Sequence, residues 1–334
     1  MKKFILIVVL FLGIAFIAIS FSEFETIIKT LQKARFGYLF LAVFIQTLWF
    51  FTTARMYKSV FRLLGMSESI LTLVRVATAA NFINIVTATA GMGGVALFAS
   101  EARKRGHTTG KMTVAAALFL SLDHFAFLCI LAVGLLILAR RHDLGTSEIF
   151  ASLFMFVVAV AYASILYIGY RSEEKLGALL ARLARMVNRV AKFFRRKEEF
   201  LHEARAYEFA HEVAEGFASL KGKPISMVRP VLWGILDKTL LMLVLICAFL
   251  SFEVPFTADI IIAGFSIAFL FIVISPTPSG IGIVEGFMPI ALSSLGVDWS
   301  QAVVVTLAYR TVTFWYPFGV GAWAFRSLHA EEET

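Results

Sequence analysis

Apolar residues run along this chain in long stretches, separated by short polar, basic or glycine–proline interruptions. The stretches 4–20, 37–54, 111–139, 148–170, 230–252 and 300–325 approach or exceed the roughly 18–20 apolar residues that cross ~30 Å of hydrocarbon. They predict six full membrane spans. Two other apolar stretches break partway. Residues 70–90 carry Arg75, Asn81, Asn84, Thr87 and Thr89 and run into Gly91, Gly93 and Gly94. Ile260 to Ile274 runs into Pro276, Pro278, Gly280 and Gly282, after which apolar sequence resumes. Backbone that is not helical is tolerated at membrane depth only where protein buries it or it lines a wet cavity. Both breaks therefore predict re-entrant hairpins, over 70–102 and 258–296.

Basic residues orient these pieces. Arg55, Lys58 and Arg62 mark a return to the cytoplasm after the second span, and 171–229 carries about a dozen Lys and Arg. The cluster Arg103 to Arg105 stays inside only if the first hairpin enters and leaves from the cytoplasm. Both termini then face the cytoplasm, with Arg140 and Arg141 a small exception to the bias. An uncleaved first span fits this topology better than a signal peptide cleaved near Ser20. The halves 37–139 and 230–326 become one unit inserted twice, the second time upside down, as in many secondary transporters. Within 171–229, Leu176, Leu179, Leu180 and Leu183 recur at helical spacing opposite Arg182, Arg185 and Arg189. That pattern suits a helix lying on an anionic leaflet or one packed on its neighbour.

Composition agrees with an all-α polytopic membrane protein: 59% of residues are hydrophobic and 16% charged, against about a quarter charged in soluble domains. The net charge of +8 is no nucleic-acid footprint, because the basic residues sit in loops and one amphipathic stretch. Cys129 and Cys247 lie within apolar runs and read as small core residues. His202 and His211 do not share a ligating face, and no Gly-Lys-Ser/Thr phosphate loop is present. The sequence predicts no metal, no cofactor and no enzyme activity.

The chemistry that remains is at the breaks. New helices begin near Gly94 and Gly282, and their first N–H groups lack intrahelical partners and carry the positive end of the dipole. Two such starts meeting near the midplane would hold an anion, a phosphate above all. Thr87, Thr89, Thr277 and Ser279 add hydroxyls, and Asn81 and Asn84 add amides. Alternatively, the glycines serve only close packing. Charged residues inside spans need partners or water. Arg310 is the first candidate to meet a phosphate, since its planar fork suits that geometry. Glu285 pairs with it or takes a proton. Asp123 relays a proton or makes a polar contact between spans. Asp237 lies in the span starting near 230, where Lys238, like Arg75, is expected to snorkel to the cytoplasmic surface.

Pro276, Pro278, Ser279, Gly280, Gly282 and Glu285, followed by Arg310, Trp315, Pro317 and Gly319, resemble the signature of the lysylphosphatidylglycerol synthase/flippase transmembrane family. The family pattern is Pro-x-Pro-Gly-Gly-x-Gly-x-x-Glu, then an Arg before an aromatic–Pro–Gly end. Arg55, the Gly93 to Arg105 region and Asp123 are similar to its first half. Ser279 stands where the family usually has glycine, and the first hairpin lacks a proline before its glycines. The resemblance implies lipid flipping, or help to lipid-linked glycan pathways, in a bacterial or archaeal cytoplasmic membrane. Members that aminoacylate lipid carry a large soluble domain after the membrane part, so aminoacyl transfer is not expected of these residues.

The expected function is thus a translocator of an anionic or lipid-linked phosphate head group. The alternative is a scaffold docking a glycosyltransferase or lipid synthase through 171–229. Association with a membrane enzyme or with further copies of the chain fits either.

Overall fold

The computed structural model describes residues 34–87, 92–107, 109–141, 171–193, 228–275 and 277–330, with isolated positions elsewhere. The expected spans 4–20 and, for the most part, 148–170 lie outside the described residues, as do Thr89, Gly91 and Pro276.

Every regular element among the described residues is a helix. In chain order come α1 (Phe36–Leu63), α2 (Ile70–Val86), α3 (Met92–Lys104), α4 (Thr109–Arg141), α5 (Glu173–Phe193), α6 (Val228–Ser251), α7 (Ala258–Ile274), α8 (Ile283–Ser294), α9 (Trp299–Arg310) and α10 (Tyr316–Ala330). A π-helical turn, Thr311–Trp315, joins α9 to α10 without interrupting the helix. Local sequence sets several starts. Ser69 accepts from the Thr72 N–H to begin α2, and Asp298 accepts from the Ser300 and Gln301 N–H groups to begin α9.

The helix α1, the 114–137 stretch of α4 and α6 are each long and apolar enough to cross a membrane, whereas α2, α7 and α8 are shorter apolar helices. Phe36, Phe40, Phe44, Leu48 and Phe51 all point outward from α1. Four-residue steps put the first four on one stripe, with Phe51 three residues on, and an apolar stripe facing outward suits lipid. Cys247 is buried, but Cys129 is exposed on α4, so it is not the core residue that its apolar neighbours suggested.

Two cores meet along α1. Its first half packs with α6, α7, α8 and α9 around Phe249, Phe265 and Tyr309. Its second half packs with α2, the start of α4 and the end of α10 around Phe61, Leu73 and Met112. The helix order long, short, short, long occurs twice: 28, 17, 13 and 33 residues in α1 to α4, then 24, 17 and 12 in α6 to α8, followed by the continuous helix 299–330. The packing also crosses over. The last helix of the second set, α10, lies on α2, and the last of the first set, α4, lies on α7.

A glycine sits at each crossing. A Cβ on Gly321 would stand 2.7 Å from Phe82 Cβ and 2.9 Å from the Thr78 carbonyl oxygen of α2, and one on Gly134 would run into Ser266 of α7. Small residues let helix backbones approach in apolar surroundings, where dispersion contacts drive association. Gly321→Ala is expected to destabilise the protein by about 1–3 kcal/mol, the usual cost of overpacking. Gly319→Ala, with nothing within 4 Å of its Cβ, is the matched control. Thermal unfolding of the two variants in the same detergent checks this.

Candidate functional site

The second break is built by its own side chains. Ser275 Oγ accepts from the Thr277 N–H at 3.0 Å, and the Thr277 hydroxyl donates to the Ile281 carbonyl at 2.9 Å. That uses the single Thr277 hydroxyl proton, so the 2.7 Å contact between the two hydroxyls is donated by Ser275. The turn Pro278–Gly280 follows, closed by bonds from the Gly280 N–H to the Thr277 carbonyl and from the Ile281 N–H to the Pro278 carbonyl.

Ser279 adopts φ 48°, ψ 28°, the left-handed region. That accounts for the glycine of the family pattern at this position, because a Cβ there crowds the following carbonyl. Ser279→Gly removes a strain of about 1–2 kcal/mol but adds ~0.5–1 kcal/mol of chain entropy to the unfolded state. A net gain of roughly 0.5–1 kcal/mol is therefore expected in unfolding experiments, with the backbone contacts of the turn kept.

Beyond the turn, Gly282 (φ 80°) precedes α8 and Glu285 occupies its first turn. One carboxylate oxygen, Oε2, accepts from the Gly282 N–H at 2.8 Å. The other accepts from Arg310 Nε at 2.6 Å. Arg310 Nη2 donates to the Ser279 carbonyl at 3.2 Å, and the guanidinium lies 4.7 Å from the Phe314 ring centre. Turn, helix start and arginine thus close into one loop. The Arg310 side chain is 4% exposed and that of Glu285 17%. Of the five guanidinium N–H groups, these two bonds use one on Nε and one on Nη2. The ion pair is what the sequence offered for the empty site.

At the first break, α3 begins at Met92, and Asn84 on α2 accepts from the Gly94 N–H at 2.7 Å. Asn84 thereby ties the two arms of the hairpin and takes one of the N–H groups reserved for a ligand in the sequence reading. Asn81 lies half-buried on α2, and Gly93 lies in the first turn of α3. The Thr87 and Thr277 hydroxyls both bond backbone carbonyls, so neither hydroxyl proton is free for a ligand. The turn 278–280 packs against α2, which brings the two hairpins into contact.

A second charged cluster is buried between α1, α4 and α6. Lys238 Nζ donates to Asp123 Oδ1 at 2.5 Å and to Asp237 Oδ2 at 3.4 Å. Thr53 of α1 donates to Asp237 Oδ1 at 2.7 Å. The Lys238 side chain is 4% exposed, and its ammonium lies 4.5 Å from the Phe269 ring centre. This corrects the expectation that Lys238 snorkels to the surface: a carboxylate on each side holds it inside the bundle. Asp123 makes the interhelical polar contact. Arg75 instead bonds Ser327 of α10. His107, just after α3, bonds Glu68 at 2.9 Å.

Helices with apolar outward faces, and charges held inside by partners, define a multi-pass helical membrane protein. The chain belongs to the family of lysylphosphatidylglycerol synthase transmembrane regions, whose model matches residues 4–321. No curated protein matches it.

Proposed function

We propose that this chain moves an anionic or lipid-linked phosphate head group between leaflets, through a pocket where the two helix breaks meet Arg310. The observation carrying this is the buried guanidinium fastened at a helix break, with N–H groups beyond those bonded to Glu285 and Ser279. A phosphate takes such a fork through paired, charge-assisted bonds. The starts of α3 and α8 add positive dipole ends, and contact between α2 and the 278–280 turn supports their converging. On this reading Asn81, Gly91, Gly93, Gly94 and Thr89 line one wall of the pocket. Pro276, Pro278, Ser279, Gly280 and Gly282 line the other.

The re-entrant arrangement is part of the proposal. At 1.5 Å per residue, α2 and α7 reach about 26 Å, α3 about 20 Å and α8 about 18 Å, all short of ~30 Å of hydrocarbon. The repeated helix order and the reciprocal crossings of α10 on α2 and α4 on α7 support two halves of inverted topology. Rocking of one half against the other would then expose the pocket to each leaflet in turn. A cytoplasmic membrane with both termini inside completes this reading.

The test is lipid movement in vesicles holding the purified chain as their only protein, which also separates transport from a docking role. A phosphatidylglycerol tagged on its acyl chain is expected to cross faster than in protein-free vesicles, and faster than a tagged phosphatidylcholine. Equal rates with and without protein would refute transport.

A further inference from the structure

We infer that the Asp123–Lys238–Asp237 cluster is a proton-binding site, with the proton held on Asp237 and exchanged through Asp123. The first ground is charge. Two carboxylates share one ammonium, and Lys238 sits tight on Asp123 at 2.5 Å and loose on Asp237 at 3.4 Å. One negative charge is therefore in excess, in a place where an uncompensated ion is costly. A proton taken from water removes it. Asp237 and Lys238 are each 3% exposed as residues, whereas the Asp123 side chain is 21% exposed. The more open carboxylate is the one that reaches water.

The second ground is independent of the charges. The Trp49 indole N–H of α1 is directed at Asp237, while the Gln46 amide oxygen, whose residue is 1% exposed, has no hydrogen-bond partner. Gln46, Trp49 and Thr53 follow at three- and four-residue steps and so share one face of α1. Thr53 and Trp49 on that face both turn to Asp237. Buried polar groups are ordinarily satisfied, so the unpaired Gln46 oxygen, two turns from Thr53, leaves this face short of a donor, and a protonated carboxyl is one.

Other ionisable groups lie on the packed elements: Arg55, which is exposed, and Lys58 follow Thr53 on α1, and Lys111, Arg140 and Arg141 lie toward the ends of α4. From α1 there is Tyr57, stacked between Phe98 and Phe119. From α4 there is His124, bonded to the Leu120 carbonyl. Tyr309 and Arg310 come from α9, the arginine engaged with Glu285. The membrane-depth part of α7 presents Phe269 to Lys238. Among the described residues, Lys238 is the cation within ion-pair distance of the two carboxylates.

Coupling of this proton to head-group movement rests on the transport reading; its binding does not. Infrared difference spectroscopy of the reconstituted full chain across a pH step reads the binding directly. The wild type is expected to show the carbonyl band of a protonated carboxyl at neutral pH. Asp237→Asn should lose it, and Asp123→Asn should lose it too, because Lys238 then neutralises the remaining carboxylate. Should one variant fail to fold, the other carries the same test. Absence of the band from the wild type, or its persistence in either folded variant, overturns the inference. In vesicles, a pH gradient should then speed head-group movement by the wild type and leave Asp237→Asn unaffected. A wild type that moves lipid equally fast with and without the gradient would overturn the coupling. A wild type that moves none would overturn the transport reading and leave the infrared result standing.

Discussion

Replacing Arg310 by alanine is expected to abolish head-group movement while the purified protein keeps its helical content and unfolding temperature within a few degrees. Two charge-assisted hydrogen bonds to phosphate, at about 1.5–3 kcal/mol each, correspond to roughly a hundredfold or more in affinity. The variant leaves Glu285 without its cation. That carboxylate still caps the Gly282 N–H and is partly open to solvent, so the cost to folding is contained. Pairing Arg310→Ala with Glu285→Gln removes the orphaned charge and isolates the effect on transport. Arg310→Lys keeps the charge but loses the planar fork, and an intermediate rate is expected of it. Unchanged movement in Arg310→Ala would take the arginine out of the mechanism.

Lys238→Met is expected to have the largest effect on stability, about 3–5 kcal/mol, the usual result of removing one member of a buried ion pair. Asp123 and Asp237 are then left without their cation between α4 and α6, with the Thr53 hydroxyl still bonded to Asp237. Removing all three ionisable groups, as Asp123→Asn, Asp237→Asn and Lys238→Met together, should recover most of the loss, because such a cluster carries no ionic desolvation penalty. Unfolding in mixed micelles compares the three proteins. If the single and triple variants are equally unstable, packing rather than charge holds this part of the bundle.

The apolar runs and the two breaks were legible because the bilayer imposes a length on a span and forbids unpaired backbone. Gly282 and Pro278 marked the second break, and the structure starts α8 one residue after Gly282. The Glu285–Arg310 pair could be anticipated because each residue stood out as a charge in apolar sequence. What the sequence hid is which face of a helix looks inward. Lys238 follows Asp237 in a helix that is apolar on nearly every side, so no periodicity distinguishes a lysine bound for the surface from one turned toward α4. Its partner Asp123 is 115 residues away. The Asn84–Gly94 bond was equally invisible, since it depends on the register of α2 against α3. The crossings at Gly134 and Gly321 left a weak signal, small residues inside apolar spans, which gains meaning only once the partner helix is known.

The π-helical turn after Arg310 was not foreseen. Thr311 and Thr313 each donate their hydroxyl to the carbonyl four residues before, Leu307 and Tyr309. Such back-bonding bends helices, and π turns gather at functional positions. The wider turn lies just where the helix presents Arg310 to the break.

On the proposed reading, both helix breaks face one pocket deep in the membrane. Single cysteines at Thr87 and Ser279, in a protein with Cys129 and Cys247 replaced by alanine, test it through their rates of reaction with a membrane-impermeant maleimide. Both should react far more slowly than a cysteine at the exposed Ser67, and more slowly still when anionic lipid is added. Rapid labelling of both from one face, at the Ser67 rate and without protection by lipid, would contradict the shared pocket.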